Sequence, residues 1–284
     1  MAEIVFFHLG LHKTATGWFQ RQLFPVLELP VYRTRKFDKI RAYVATDPHR
    51  AIIVSHEGLG GRITDDKKQG DALATFLSTL DRIEDIPGER KLLIGFREQT
   101  AWINSAYGQR AKKGRISPER YRDSFSLADL LWMQRVQQCE AHGLESFFFL
   151  YEEFDYAPLA LLTDVCAFLQ LPTPANAEGL LQRRENISPR SERGFRLARL
   201  THLLAQAAGA LSLFDAKGLR RRGAEWASLF DDAKSYPPSI AFGDGEAELL
   251  RKDWRDLVSH LSAKRGRDLS PLASGWSPQP AARA

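Results

Sequence analysis

The sequence predicts an α/β protein: a mostly parallel sheet with helices on both faces, followed by a mainly helical C-terminal portion. Three observations carry that prediction. Short apolar runs rich in β-branched and aromatic residues, too brief for helices, begin at Ile4, Ala51, Lys91 and Glu145. Segments with apolar residues at helical spacing separate them, so strand and helix patterns alternate through residue 171. Beyond that point the readable elements, Phe195 to Leu213 and Leu249 to Leu261, are helices.

Composition bounds the answer further. A chain of 284 residues, 44% of them hydrophobic, can bury a substantial core, and we read residues 1–270 as one domain. The tail from 271 to 284, with Pro271, Pro278 and Pro280, reads as disordered. The formal net charge of +5 is spread along the chain, which suits an anionic ligand such as a nucleotide but does not support nucleic-acid binding. Cys139 and Cys166 lie in helical segments with no C-x-x-C or His/Cys ligand spacing, which argues against a disulfide framework and a structural zinc site. No charged-then-apolar leader and no run of about 18 apolar residues occurs, so the expectation is a cytoplasmic chain without an integral membrane segment.

The first strand, Ile4-Val5-Phe6-Phe7, runs into the turn Gly10 to Gly17. Trp18, Phe19, Leu23 and Phe24 follow at near-helical spacing, and Pro25 marks the end of that helix. A strand, a small-residue turn carrying a lysine and a helix aim backbone N–H groups and a positive helix end at one point, beside an ammonium group. Thr14 and Thr16 add hydroxyls. On local chemistry the turn reads either as a phosphate site or as an ordinary strand-to-helix turn with a solvated lysine. It is not the nucleotide loop G-x-x-x-x-G-K-[ST]: with Lys13 as the lysine, the required glycines fall on His12 and Phe7.

Next come a short strand at Val31-Tyr32 and a helix from Phe37 to Val44, ending before Asp47-Pro48. The strand Ala51 to Ser55 delivers His56-Glu57-Gly58 at its carboxyl end, the edge where ligands bind in open α/β sheets. Either Glu57 or His56 can act as a general base from there. An amphipathic helix near Asp71 to Ile83 leads to the strand Lys91 to Phe96, which ends in Arg97. Ser105 lies eight residues on, about two turns into the following helix, so that guanidinium and hydroxyl can grip one phosphate. Residues 108–118 read as a basic, glycine-containing connection, either a solvated linker or a lid. Leu127 to His142 reads as a helix stopped by Gly143, Glu145 to Tyr151 as the fourth long strand, and Leu159 to Leu169 as a helix ending at Leu171-Pro172. Glu152 and Glu153 read as first-turn acids.

Taken in order, these motifs resemble the 3′-phosphoadenylyl-sulfate-dependent sulfotransferases, whose bacterial members often carry G-x-H-K-T-G-T-T after the first strand. Gly10, His12, Lys13, Thr14 and Thr16 meet that pattern, while Ala15 and Gly17 depart from it. The family's R-N-P-x-D-x-x-x-S-x-Y is matched by Arg97, Ser105 and Tyr107, without the Asn-Pro and the Asp. Its Y-E-D-L and F-L-G-L-P are approached by Tyr151-Glu152-Glu153-Phe154 and Phe168-Leu169-Gln170-Leu171-Pro172. The resemblance implies a P-loop-like fold and transfer of a sulfuryl group from 3′-phosphoadenylyl sulfate (PAPS) to a hydroxyl or amine of a small-molecule or carbohydrate acceptor. Adenosine 3′,5′-bisphosphate (PAP) is left, and no metal is implied.

The same resemblance implies site residues. Lys13 would serve catalysis and, with His12, Thr14, Ala15, Thr16, Gly17 and Trp18, hold the 5′-phosphosulfate. Glu57 or His56 would be the base, and Arg97 and Ser105 would fix the 3′-phosphate. Arg184 and Arg190, in a basic segment where the family often closes a loop over the nucleotide, would add phosphate contacts. Two other classes compete: a nucleotide-dependent small-molecule kinase, which predicts ATP and Mg²⁺ dependence, and a non-catalytic nucleotide- or partner-binding module.

Overall fold

The computed structural model describes residues 1–11, 13–61, 72–113, 116–182 and 240–274. Among the described residues five parallel strands form the sheet: β1 (Ile4–Leu9), β2 (Val31–Tyr32), β3 (Ala51–His56), β4 (Glu89–Phe96) and β5 (Glu145–Leu150). Their spatial order is β2-β3-β1-β4-β5. β1 is central, and all six of its residues are buried. That is why it reads as a continuous apolar run and not as an alternation. The chain builds β2 and β3 on one side of β1 and then crosses to build β4 and β5 on the other, so β1 stands at the point where the winding reverses.

The described residues fall into two compact units, one drawn from 1–99, 126–182 and 243–274 and the other from 100–125 and 240–242. The first holds the sheet. On one sheet face Ile4, Phe6, Ile53, Leu93 and Phe149 pack with Trp18, Phe19, Leu23 and Phe24 and with Leu161, Leu162, Val165 and Cys166. Each such side chain, fully buried, stabilises the fold by about 1.5–3 kcal/mol. Gly95 sits opposite Phe149 in the β4–β5 register, and a Cβ there would lie 2.3 Å from the Phe149 ring. The glycine is the space the ring occupies.

Among the described residues, the helices of this unit are α1 (Thr16–Trp18), α2 (Phe37–Thr46), α3 (Ala72–Glu84), α6 (Trp132–Ala141), α7 (Glu153–Tyr156), α8 (Pro158–Phe168), α9 (Ala177–Leu181) and α10 (Asp244–Arg265). Two more, α4 (Gln99–Lys113) and α5 (Pro118–Arg122), belong to the second unit apart from Gln99. There Tyr121 packs between Tyr107 and Phe125 at centroid distances of 5.4 and 5.1 Å, and the Tyr107 hydroxyl donates to the Ile116 carbonyl at 3.1 Å.

Several expectations need correction. The helix after the first turn is not uniform: α1 passes into a π-turn at Phe19–Leu23 and a 3₁₀ turn at Phe24–Val26, where Pro25, lacking an N–H, occupies the start of the turn. Residues 108–113 are not a connection, because α4 runs through them with Gly108 inside. The helix expected over Leu127 to His142 is split into a 3₁₀ turn, Ala128–Leu130, and α6, with Leu131 extended between them. The split has a tertiary cause, since the Asp253 carboxylate of α10 accepts the N–H groups of Trp132 (2.8 Å) and Met133 (3.2 Å) and caps α6 from outside. Order also continues past residue 270: Leu272 is buried in the 3₁₀ turn Ser270–Leu272 and accepts the Trp254 indole N–H at 2.8 Å. The segment Phe195 to Leu213 lies outside the described residues.

Glu153 is not merely a first-turn acid. It is fully buried, accepts the Leu150 N–H at 2.8 Å and pairs with Arg265 at 2.7 Å, while Arg265 also pairs with Asp164 at 2.7 Å. This ties the end of α10 to the β5–α7–α8 connection. Arg265→Ala strands a buried carboxylate and should cost about 3–5 kcal/mol in urea unfolding. A loss below about 1 kcal/mol would show that water screens the pair.

Candidate functional site

The carboxyl ends of β3, β1 and β4 are neighbours, with Leu9 in register with His56 on one side and Ile94 on the other. The turn after β1, the residues His56 and Glu57, and Arg97 therefore leave three adjacent strands at one sheet edge, with strand-to-strand spacings of about 4.8 Å.

In the β1 turn, Lys13 (φ 67°) and Ala15 (φ 63°, ψ 9°) both adopt the left-handed conformation. Non-glycine residues held there cost of order 1–3 kcal/mol each, and such strain concentrates at ligand-binding turns. Backbone in this conformation beside helical residues forms the concave N–H arrangements that bind anions. Phe19 N–H donates to the Ala15 carbonyl, so the amides of Thr16, Gly17 and Trp18 precede the first such bond of the segment. Thr14 is buried, and its hydroxyl donates to the Leu11 carbonyl at 2.7 Å, bracing the turn. Thr16 lies against Gly10, where an added Cβ would meet its Oγ1 at 2.2 Å. Trp18 has its indole in the core, donating to the Leu180 carbonyl at 3.3 Å, so its side chain serves packing and only its amide is offered to the turn. His12, Arg184 and Arg190 lie outside the described residues.

The β3 exit packs on the same turn, for a Cβ on Gly60 would come within 3.0 Å of the Gly10 carbonyl. Arg135 of α6 reinforces that contact. Its fully buried guanidinium donates to the carbonyls of Gly60 (3.4 Å) and Asp129 (3.2 Å) and lies over the Phe76 ring, and burial pulls it down to about 10. His56 and Glu57 are half-buried, and His56 Nδ1 accepts the Gly58 N–H at 2.8 Å. A neutral imidazole so engaged carries its proton on Nε2.

Arg97 is pinned from three directions. Its carbonyl accepts the Trp132 indole N–H at 2.8 Å, the next N–H, of Glu98, donates to Glu152 at 3.0 Å, and the Gln99 amide donates to Asp253 at 2.7 Å. The guanidinium lies 4.5 Å from the Tyr151 ring centroid. Ser105 is half-buried on α4, in the second unit. Thr16 Oγ1 and Arg97 Nε are both buried without a hydrogen-bond partner, each a donor whose burial is costly until an acceptor reaches it. An anionic ligand with phosphate oxygens fits that need. Among the described residues no group of three or more His, Cys, Asp or Glu comes together, and no helix is long and apolar enough to cross a membrane.

Sequence reading missed a buried polar cluster beneath this edge. His8, in β1, lies against the rings of Phe19 and Phe24, with its Nδ1 2.9 Å from Ser55 Oγ, which also accepts from the Gln20 amide at 3.0 Å. Its signal was an ionisable residue at the end of an otherwise apolar run. Burial pushes the imidazole down to about 3, against the nearby charge of Glu57, which pulls it up.

No protein-family model matches the chain, and no curated protein matches it in sequence. Among solved structures, it is similar to the sulfotransferase domain of the Synechococcus PCC 7002 olefin synthase, at 13% identity and a TM-score of 0.44 over 88% of this chain and 93% of that one. It is also similar to mouse sulfotransferase SULT7A1 complexed with PAP (12% identity, TM-score 0.45, 96% and 89% coverage). A third similar structure is the sulfotransferase domain from the curacin biosynthetic pathway (13%, TM-score 0.42, 95% and 99%). With TM-scores below 0.5, these are likenesses and not a measure of kinship.

Two outcomes are expected here. Gly10→Ala should displace Thr16 and lower stability by about 1–3 kcal/mol in thermal denaturation; an unchanged midpoint would refute the close approach. His8 has a folded value below its unfolded one, so its contribution is full above pH 6.5 and is lost as pH falls toward 3. Between pH 6 and 4 the wild type should therefore lose stability faster than His8→Gln, by about 1.4 kcal/mol per pH unit. Parallel curves would show that the imidazole is not held neutral.

Proposed function

We propose that this chain is a sulfotransferase that moves a sulfuryl group from PAPS to an acceptor hydroxyl or amine by in-line displacement. One observation carries the reading: the strained Lys13 turn, the Glu57 carboxylate and the Arg97 guanidinium leave the carboxyl ends of three adjacent parallel strands at the reversal point of the sheet. PAPS supplies the activated sulfuryl group when bound, and PAP is what remains.

In this reading the amides of Thr16, Gly17 and Trp18 and the Lys13 ammonium hold the 5′-phosphosulfate. Lys13 stabilises negative charge building on the bridging oxygen, where a preorganised cation lowers the barrier most. Glu57 takes the proton of the acceptor hydroxyl at its carboxylate. Arg97, fixed on Tyr151, takes the 3′-phosphate and so sets the angle of attack. Ser105, His12, Arg184 and Arg190 stay in the reading on the sequence resemblance alone.

Calorimetric titration with PAP, alongside ATP with Mg²⁺, tests it. PAP should bind, and Arg97→Ala should weaken it about 10- to 100-fold, the worth of hydrogen bonds to a charged group. Lys13→Ala should abolish turnover while the protein stays folded. Binding of ATP with Mg²⁺ alone would replace this reading with a kinase, and binding of neither would favour a non-catalytic module.

A further inference from the structure

The carboxyl end of β5 holds an ionisable group that the proposed mechanism leaves unused. Glu152 is 6% exposed. One carboxyl oxygen accepts the Glu98 N–H at 3.0 Å, and the other is buried with no hydrogen-bond partner. Leaving a carboxylate so poorly solvated is expensive, which favours the protonated form. Burial pushes Glu152 up to about 7; the Glu98 N–H and the Arg97 charge act against burial, and the Glu98 charge adds to it. Among the described residues, Arg97 and Glu98, both at the β4 exit, are the charged groups that act on it. Tyr151, the residue before it, carries the Arg97 guanidinium on its ring.

We infer that Glu152 is a positioning residue for the Arg97 phosphate contact: it holds the Glu98 peptide so that the guanidinium stays on Tyr151, and its proton decides whether Arg97 meets a ligand uncompensated. The inference rests on the reading of Arg97 as a contact for the 3′-phosphate. With the proton in place, Arg97 presents its full charge to the anion. With the proton gone, the carboxylate competes for the guanidinium and repels the phosphate. A bound phosphate therefore raises the affinity of Glu152 for its proton, and ligand binding above neutrality takes a proton up.

The test is calorimetric titration of PAP into wild type, Glu152→Gln and Glu152→Asp at pH 7.0 and 8.5. A phosphate monoester loses its second proton near pH 6, so the ligand's own charge changes by only about a tenth across this window. Wild-type affinity should fall about tenfold as pH rises. Glu152→Gln keeps an oxygen for the Glu98 N–H but cannot ionise, and should bind equally well, within about twofold, at both pH values. Glu152→Asp keeps the charge but falls short of the Glu98 peptide, and should bind more weakly than Glu152→Gln at both. The same pH profile in wild type and Glu152→Gln overturns the inference alone. Failure of wild type and Glu152→Gln to bind at pH 7.0 overturns the nucleotide reading and this inference with it.

Discussion

The structure depends on one constraint, the complete enclosure of β1. It is paired on both edges by parallel strands, and all six of its residues are buried. Such a strand has no solvated edge, and in a parallel sheet the chain can return only through a crossover above or below. It must therefore turn away within a few residues of Leu9. The close approaches there are consequences: Thr16 comes back onto Gly10, Gly60 comes down on the Gly10 carbonyl, and two non-glycine residues are held at positive φ. Tertiary packing over-determines the turn, which lets its strain persist.

The surroundings of the edge explain why it keeps its shape. Arg135 reaches it from α6 through the Gly60 carbonyl, and Trp132, one turn earlier on that helix, reaches the Arg97 carbonyl. Asp253 of α10 then holds the start of α6 and the Gln99 side chain together. The exits of β3 and β4 thus share one rigid support. Buried polar groups of this kind add little net stability, but they penalise any arrangement that leaves them unpaired, and so specify one geometry.

How much of this was legible in the sequence follows from the range of each interaction. The strands were readable because central parallel strands need apolar residues on both faces, and Ile4 to Phe7, Ala51 to Ser55 and Lys91 to Phe96 show it locally. The placement of the Lys13 turn and of Arg97 just past strand ends was readable as well, since a strand end is marked by a few consecutive residues. Glu152 was misjudged as a dipole-complementing acid because its partner, Glu98, is 54 residues away. The division of the helix at Leu131 was invisible for the same reason, its cause being Asp253. Gly108 misled in the opposite direction: a glycine costs a helix only about 1 kcal/mol, less than burial of its neighbours Ala106 and Tyr107 returns.

One asymmetry among the buried ionisable groups separates support from chemistry. His8 and Arg135 are enclosed by rings and backbone carbonyls, and burial moves both toward their neutral forms without carrying either across neutral pH. Glu153 is enclosed too, yet it is matched by Arg265. Glu152 has an unpartnered oxygen and Arg97 nearby, but no ion pair of the kind Arg265 gives Glu153, and burial pushes it up to about 7. A fold that needed only a peptide acceptor at this place could have used a glutamine. Glutamate adds a charge that can be turned off, beside the guanidinium best placed to receive an anion. The Glu98 N–H needs only an acceptor there, so the charge, set beside Arg97, is the part of Glu152 that the packing of β5 does not use.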